Sequence, residues 1–163
     1  MGKGRGGYTL LEIVIVLFVG TVLLTAATQA VQSSQNTTIE QTVVAVADDT
    51  ARRAIDRITE ELRFAQLDSL APANPVDEPS IQYRVLTGWD AVGPLTGPVR
   101  QLAHNGLNLE LDGQIIASGI NGLLFTQVGN AIRVDITLTR QVTTSGVMRA
   151  INRVISTDIE ILN

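Results

Sequence analysis

The sequence predicts an α+β protein in which one long N-terminal α-helix, membrane-spanning in its first half, packs against a C-terminal antiparallel β-sheet. Three observations predict this fold class. An apolar run follows the first seven residues, and no charged side chain occurs from Ile13 to Ile39. Apolar residues then recur at helical spacing as far as Ala65. From Ile81 onward the apolar period changes to two, which is typical of strands.

The composition excludes several classes of function. The 163 residues include 12 Lys+Arg and 16 Asp+Glu, a net charge of -4, which argues against general nucleic-acid affinity. The chain has no Cys, which excludes thiol catalysis, Cys-ligated zinc and disulfide bonds. Aromatic residues make up only 4%, so we expect a core of Ile, Val and Leu.

The apolar run is long enough to cross a bilayer. A spanning helix needs about 20 apolar residues, and Leu10 to Val31 meets that length. Lys3 and Arg5 precede the run, and positive charge favours the cytoplasmic side of a membrane. We therefore expect the rest of the chain to lie outside the cytoplasm.

Glu12 interrupts the apolar run and predicts an assembly contact. A carboxylate inside a membrane span is costly and is usually paired with another group. A cut after Gly7 would create a new α-ammonium on Tyr8, four residues from Glu12. In a staggered bundle, Glu12 of one subunit could then pair with the Tyr8 ammonium of a neighbour and so set the register of the two helices.

Residues 7–12, with the sequence GYTLLE, and the apolar run after them resemble the class III signal of type IV prepilins and type II secretion pseudopilins. The resemblance implies that a prepilin peptidase cuts after Gly7 and methylates the amine of Tyr8, and that Glu12 supports filament assembly. Tyr8 stands where the family usually has Phe. Residues Ala51 to Gln66 also resemble the W-type minor pilins and the J-type minor pseudopilins.

The resemblance implies a structural subunit of a pilus or pseudopilus, not an enzyme, with no cofactor. Its partners would be other pilin or pseudopilin subunits through the N-terminal helix, prepilin peptidase, an inner-membrane assembly platform and the lipid bilayer. The protein would cross the inner membrane once, with a periplasmic or external head.

Two alternatives stay open at this point. The first is a subunit of a DNA-uptake filament that binds nucleic acid through a basic patch on the sheet. Its candidate residues are Arg133, Arg140, Arg149 and Arg153. The second is a secreted soluble binding domain that an ordinary signal peptidase releases near Ala30.

The chain divides into five predicted segments. They are a leader at 1–7, a transmembrane and assembly helix at 8–31, an amphipathic helix at 32–70, a Pro-rich linker at 71–80 and a β-rich head at 81–163. On the amphipathic helix, charges four residues apart predict ion pairs on a solvated face. These pairs are Asp48–Arg52, Asp49–Arg53 and Arg57–Glu61.

Turn residues separate the strands predicted in the head. After a strand at Ile81–Leu86, the Gly- and Pro-rich stretch Trp89–Pro98 predicts a loop. Trp89 is either its anchor, the favoured interpretation, or a contact residue. Strands follow at Leu107–Leu111, Gln114–Ala117, Ile120–Val128 and Ala131–Thr139, and after the Ser145-Gly146 turn at Val147–Ile155 and Ile159–Leu162. In Ala131–Thr139, Ile132, Val134, Ile136 and Leu138 are predicted to face inward.

We predict no catalytic residue and no metal ligand. His104 is the only His and has no second His or Cys with which to bind a metal. Asp112 belongs to a predicted turn. Calcium stays an open alternative, because some pseudopilins that this sequence resembles bind calcium, although the sequence has no D-x-D-x-D-G loop.

Overall fold

The computed structural model describes residues 9–144 and 146–161 of the 163-residue chain. Helix α1 runs from Leu10–Leu62, and a short 3-10 turn at Leu67–Ser69 follows it. The chain divides into two compact units, Met1–Gln41 and Thr42–Asn163. The first half of α1 belongs to the first unit, and the second half belongs to the second unit with the sheets.

The described part of the first unit is a helix with an exposed apolar surface. From Leu10 to Gln41 each side chain is exposed, except for those of Asn36 and Glu40, which are half-buried. Its most apolar 18-residue window has a mean hydropathy of 2.5. By length and composition, this helix can therefore cross a membrane.

The second unit contains two antiparallel sheets, which confirms the α+β class but corrects the expected single sheet. Sheet neighbours follow chain order, so each strand within a sheet is joined to the next by a hairpin. The first sheet consists of β1 (Ser80–Trp89), β2 (Pro94–Asn105), β3 (Asn108–Leu111) and β4 (Gln114–Ser118). The second consists of β5 (Gly122–Val128), β6 (Ala131–Thr144) and β7 (Val147–Glu160).

One face of the second half of α1 enters the hydrophobic core with both sheets. The helix residues in the core recur at three- and four-residue spacing, as an amphipathic helix requires. They are Ala47, Ala51, Ala54, Ile58 and Leu62. The predicted inward face of β6 is fully buried and is thereby confirmed. Its residues are Ile132, Val134, Ile136 and Leu138.

Helix α1 ends at Leu62, whereas the sequence predicted helix as far as residue 70. The main chain beyond the helix bonds to strand β1 instead. The N–H of Leu86 donates to the carbonyl oxygen of Phe64 at 2.8 Å, and the N–H of Gln66 donates to that of Arg84 at 2.8 Å. Because β1 uses these backbone groups, the helical ladder cannot continue through them.

The stretch predicted as a linker at 71–80 is bonded to both sheets. Ala71 and Gln82 exchange two backbone hydrogen bonds, of 2.9 and 2.8 Å, along the outer edge of β1. Glu78 and Phe125 exchange two more, of 3.1 and 2.8 Å, along the outer edge of β5. Residues 64–78, which we call the edge segment, therefore cover one edge of each sheet.

The predicted loop at 89–98 is wrong, because β1 and β2 continue through most of it as a hairpin. Trp89 pairs with Pro94, and Gly88 pairs with Leu95. The carboxylate of Asp90 closes the turn by accepting from two backbone N–H groups, at 2.8 and 2.9 Å. The Gly and Pro content predicted an irregular loop. In the structure the Asp90 side chain instead accepts the hydrogen bonds that close a tight turn between the two strands.

Strand β7 is continuous, although the sequence predicted two strands separated near Ser156. Its pairing with β6 shows no register shift from Val147 to Glu160. Side chains across the pair stabilise the region of the predicted break. Ser156 donates to Asp135, and Arg133 donates to Asp158 at 2.8 Å. Ser145 of the predicted turn lies outside the described residues.

Candidate processing and assembly site

The described part of the site is the first turn of α1. Thr9 directly precedes the helix, and its side-chain oxygen accepts from the N–H of Glu12 at 3.3 Å. The carbonyl oxygen of Thr9 also accepts from the N–H groups of Glu12 and Ile13, at 3.0 and 3.2 Å. Thr9 is thus the N-cap, which satisfies donors that a helix start leaves free.

Thr9 and Glu12 have the spacing of a capping box, a local signal in the sequence that was not among the predictions. In this motif a Ser or Thr at the N-cap is followed three residues later by Glu or Gln. A carboxylate in the first turn also interacts favourably with the positive end of the helix dipole. Glu12 therefore lies where a carboxylate favours the helix start independently of any neighbouring subunit.

Glu12 is nonetheless available to a second cation. Its side chain is exposed, and within residues 9–144 and 146–161 it has no ion-pair partner. Gly7 and Tyr8 lie outside the described residues. Cleavage after Gly7, methylation of Tyr8 and the pair between Tyr8 and Glu12 stay predictions.

Polar side chains in the apolar half of α1 bond within the helix. The hydroxyls of Thr21, Thr25 and Thr28 each donate to a backbone carbonyl three or four residues earlier, at 2.7 to 2.8 Å. A hydroxyl that bonds in this way presents little unmet polarity to lipid. These threonines therefore add little to the cost of inserting the helix into a membrane.

The second half of α1 is tied to the sheets by ion pairs. Asp48 accepts two hydrogen bonds from Arg153 of β7, each of 3.1 Å, so the predicted pair with Arg52 is wrong. This pairing lowers the pKa of the Asp48 carboxyl. Glu61 likewise bonds to Arg100 of β2 at 2.5 Å, and Arg100 also donates to Asp112 at 3.0 Å.

The remaining charges on α1 form the expected solvated face. Asp49 and Arg53 pair at 2.5 Å, which confirms that prediction. Arg57 pairs with Glu60 at 2.8 Å, not with Glu61, because Glu61 is bound to the sheet. Exposed pairs of this kind contribute little stability.

The structure does not bring the four candidate arginines into one basic patch. Arg133 lies on the solvent face of β6 and bonds to Asp158, and Arg153 bonds to Asp48. Pairing register places Arg149 opposite the buried Val142, on the face of the sheet that also bears the core. Two of the four positive charges are therefore compensated, and the arginines are divided between two faces.

Other residues singled out in the sequence have structural roles or lie at the surface. Nε2 of His104 lies 3.1 Å from the carbonyl oxygen of Ile120. Asp112 occupies the predicted turn, with φ of 51°, and accepts from the N–H of Gln101 at 2.8 Å, which lowers the pKa of its carboxyl. Trp89 is 67% exposed, so it does not anchor a loop as expected. The described residues contain no cluster of three or more His, Asp or Glu suited to a metal ion.

Comparison with known families identifies the N-terminal segment. A family model described as the prokaryotic N-terminal methylation motif matches residues 2–28. The match includes Gly7, Tyr8 and Glu12 and extends well into the exposed half of α1. This match supports a type IV pilin-like or pseudopilin-like protein. This match confirms the resemblance to pilins and pseudopilins predicted from residues 7–12. No curated protein and no solved structure matches the chain.

The pilin-like motif supports a precursor of the pilin or pseudopilin type. It is the motif of precursors that prepilin peptidase processes and that assemble with other pilin subunits. With the exposed apolar helix, it fits a membrane-anchored subunit of a pilus or pseudopilus. The motif thereby suggests a structural subunit.

Proposed function

We propose that the protein is a minor structural subunit of a type IV pilus-like or type II secretion pseudopilus filament. Prepilin peptidase cuts the precursor after Gly7 and methylates the amine of Tyr8. The mature chain waits in the inner membrane with its head on the periplasmic or external side. It then joins the filament through the first half of α1 and carries out no catalysis.

The continuity of the methylation motif with the exposed helix carries this proposal. The motif covers residues 2–28, and the helix that begins inside it has an apolar surface throughout its first half. In a monomer this surface requires lipid, and in a filament it requires neighbouring helices. Resemblance of Ala51 to Gln66 to minor pilins and minor pseudopilins supports the minor role.

The proposed contact between subunits pairs Glu12 with the methylated ammonium of a neighbour's Tyr8. Cutting after Gly7 also removes Lys3 and Arg5. Processing therefore places the nearest cation in sequence at the new N-terminus, one helical turn from Glu12. An acid and an ammonium buried together attract each other strongly, because lipid and packed helices screen charge poorly.

N-terminal mass spectrometry of the membrane-extracted protein tests the processing step. We expect a chain that begins at Tyr8 and carries one added methyl group on its amine. A start near Val31 would instead support a soluble domain released by ordinary signal peptidase. A chain that retains its first seven residues would contradict the charge-pair proposal, because the Tyr8 ammonium would never form.

Two substitutions at Glu12 separate its capping role from its charge. Gln can replace Glu in a capping box, so Glu12→Gln preserves the helix start and removes only the charge. Glu12→Ala removes both. We expect both variants to be cleaved normally and to enter filaments beside wild-type subunits at least tenfold less well, measured by immunoblotting of sheared filaments.

Glu40→Gln is the matched control, because Glu40 is the other carboxylate in the first half of α1. It should enter filaments normally. Normal incorporation of Glu12→Gln together with poor incorporation of Glu12→Ala would contradict the charge pair. That pattern would assign Glu12 to helix capping.

A further inference from the structure

Three of the four sheet edges in the head are protected against pairing with another chain. The edge segment covers the outer edge of β1 and the outer edge of β5 through the bonds described above. Strand β4 forms the third edge and is only five residues long, with a register shift in its pairing to β3. Short strands and bulges are the usual means by which proteins blunt an edge.

The fourth edge, on β7, lacks these protections. Strand β7 has 14 residues and pairs with β6 without a register shift. It contains no Pro and no Lys. Among residues 9–144 and 146–161, no backbone group bonds to its second edge. A long, regular and uncovered edge is a template for an additional strand.

The pairing with β6 determines which main-chain groups face this edge. The pair of Thr144 with Val147 closes the hairpin, and Ile161 donates its N–H to the carbonyl oxygen of Asn130 at 3.2 Å. Both contacts place the odd-numbered residues of β7 in hydrogen-bonded pairs with β6. The N–H and C=O groups of the even-numbered residues, from Met148 to Glu160, therefore point to the open edge.

The side chains along β7 indicate what kind of strand would fit. On the outer face, Met148 and Val154 are 65% and 64% exposed, and a paired strand would cover part of their apolar surface. Between Val147 and Thr157 the strand has two arginines and no carboxylate. Arg153 is paired with Asp48, whereas Arg149 has no ion-pair partner within the described residues. An acidic side chain on an added strand would compensate Arg149.

We propose that the β7 edge binds an extended segment of a different polypeptide by strand addition, with apolar side chains outward and a carboxylate beside Arg149. This proposal does not depend on the proposed filament. A second copy fits less well: residues on the same face meet in an antiparallel pair, and the face of β7 that bears Arg149 has no carboxylate to compensate it.

A peptide of defined sequence tests the proposal on the full-length protein in detergent micelles. The probe is a fluorescein-labelled 12-residue peptide of alternating Val and Glu, which can present apolar side chains on one face and carboxylates on the other. Fluorescence anisotropy should show saturable binding. The same peptide methylated at every backbone nitrogen keeps its charge but cannot donate main-chain hydrogen bonds, and it should bind at least tenfold more weakly.

Substitutions on β7 locate the binding. Val154→Pro removes an N–H that faces the open edge and no bond to β6, so it should reduce peptide binding at least tenfold. Val154→Thr keeps that N–H and is the matched control, with binding close to wild type. Arg149→Glu should weaken binding of the acidic peptide without changing the backbone. This variant still tests the proposal if Val154→Pro destabilises the head.

Three outcomes would overturn the proposal. The first is absence of saturable binding. The second is a result that indicates general attraction of anions to arginine. Such a result is equal binding of the methylated and unmethylated peptides, or binding of an unstructured single-stranded DNA oligonucleotide with an affinity similar to that of the unmethylated peptide. The third is a disulfide between two copies of Val154→Cys in membranes, since the chain has no Cys and the occupant would then be a second copy.

Discussion

The two halves of helix α1 have the same secondary structure but are suited to different surroundings. The half from Leu10 to Gln41 exposes apolar side chains in every direction and contains two charged residues, Glu12 and Glu40. The half from Thr42 to Leu62 contains eight charged residues and buries a single face made mainly of alanine. Lipid or other helices can solvate the first half, whereas the second needs water on one side and a sheet on the other.

The comparison shows that helix propensity alone does not determine what a helix does. Threonine hydroxyls of the first half bond to carbonyls within the same helix. The carboxylates Asp48 and Glu61 of the second half bond to arginines of the sheets. Polar side chains of the first half thus form their hydrogen bonds within the helix itself. Those carboxylates of the second half form theirs with residues of the sheets, which are distant in sequence.

The largest expected difference between the halves is the effect on head stability of replacing one isoleucine in each half. Ile58 is fully buried, whereas Ile15 is 53% exposed. We expect Ile58→Ala to lower the free energy of unfolding of the head by about 2–5 kcal/mol, because it removes packing and leaves a cavity. Urea unfolding of the full chain in detergent, followed by circular dichroism of the sheets, measures the change.

Ile15→Ala is the control for that measurement. It should leave the unfolding midpoint of the head unchanged, because Ile15 contributes nothing to the core. A similar loss of stability in both variants would show that the two halves of α1 do not differ in their contribution to the head. The comparison would then be wrong.

An intermediate effect concerns acid stability. Hydrogen bonds from Arg153 lower the pKa of Asp48, and the backbone N–H of Gln101 lowers that of Asp112. A carboxyl whose pKa is depressed in the folded state stabilises the fold above its unfolded pKa of about 3.9. That stability should be lost as pH falls through the lower, folded pKa. Urea midpoints measured between about pH 6 and pH 2 report this loss.

Asp48→Asn sharpens the acid prediction. The variant should be less stable than wild type near neutral pH, and the difference should shrink as the pH falls below about 3.9, because the wild-type carboxyl is then protonated too. Asp49→Asn is the matched control, since Asp49 pairs with Arg53 on the exposed face. A difference between Asp48→Asn and wild type that stays constant down to the acid limit would contradict the role assigned to the ion pair.

The sequence predicted the parts of this molecule that local patterns determine. The apolar helix and the inward face of β6 depend on residue spacing within one element, and both are confirmed. Helical spacing suggested Arg52 as the partner of Asp48, but the true partner, Arg153, follows Asp48 by 105 residues. A pattern confined to a few helical turns cannot identify a partner at that separation.

The edge segment was unpredictable for a related reason. The sequence predicted its first part as the end of a helix that reaches residue 70, and its second part, with Pro72 and Pro75, as a linker. Their order comes from backbone bonds to β1 and β5, and backbone groups carry no residue-specific signal. At the N-terminus, the capping-box spacing of Thr9 and Glu12 is a local pattern, and only the assembly role of Glu12 was predicted from the sequence.

The smallest expected effect is in the membrane half. The hydroxyl of Thr25 donates to the carbonyl oxygen of Thr21 at 2.8 Å, so it is already satisfied within its own helix. Thr25→Val keeps the shape of the side chain and removes this bond. We expect filament incorporation to match wild type and helix stability to change by less than about 0.5 kcal/mol. A clear loss of incorporation would show that this hydroxyl also bonds to a neighbouring subunit, and the first half of α1 would then share the long-range polar contacts of the second.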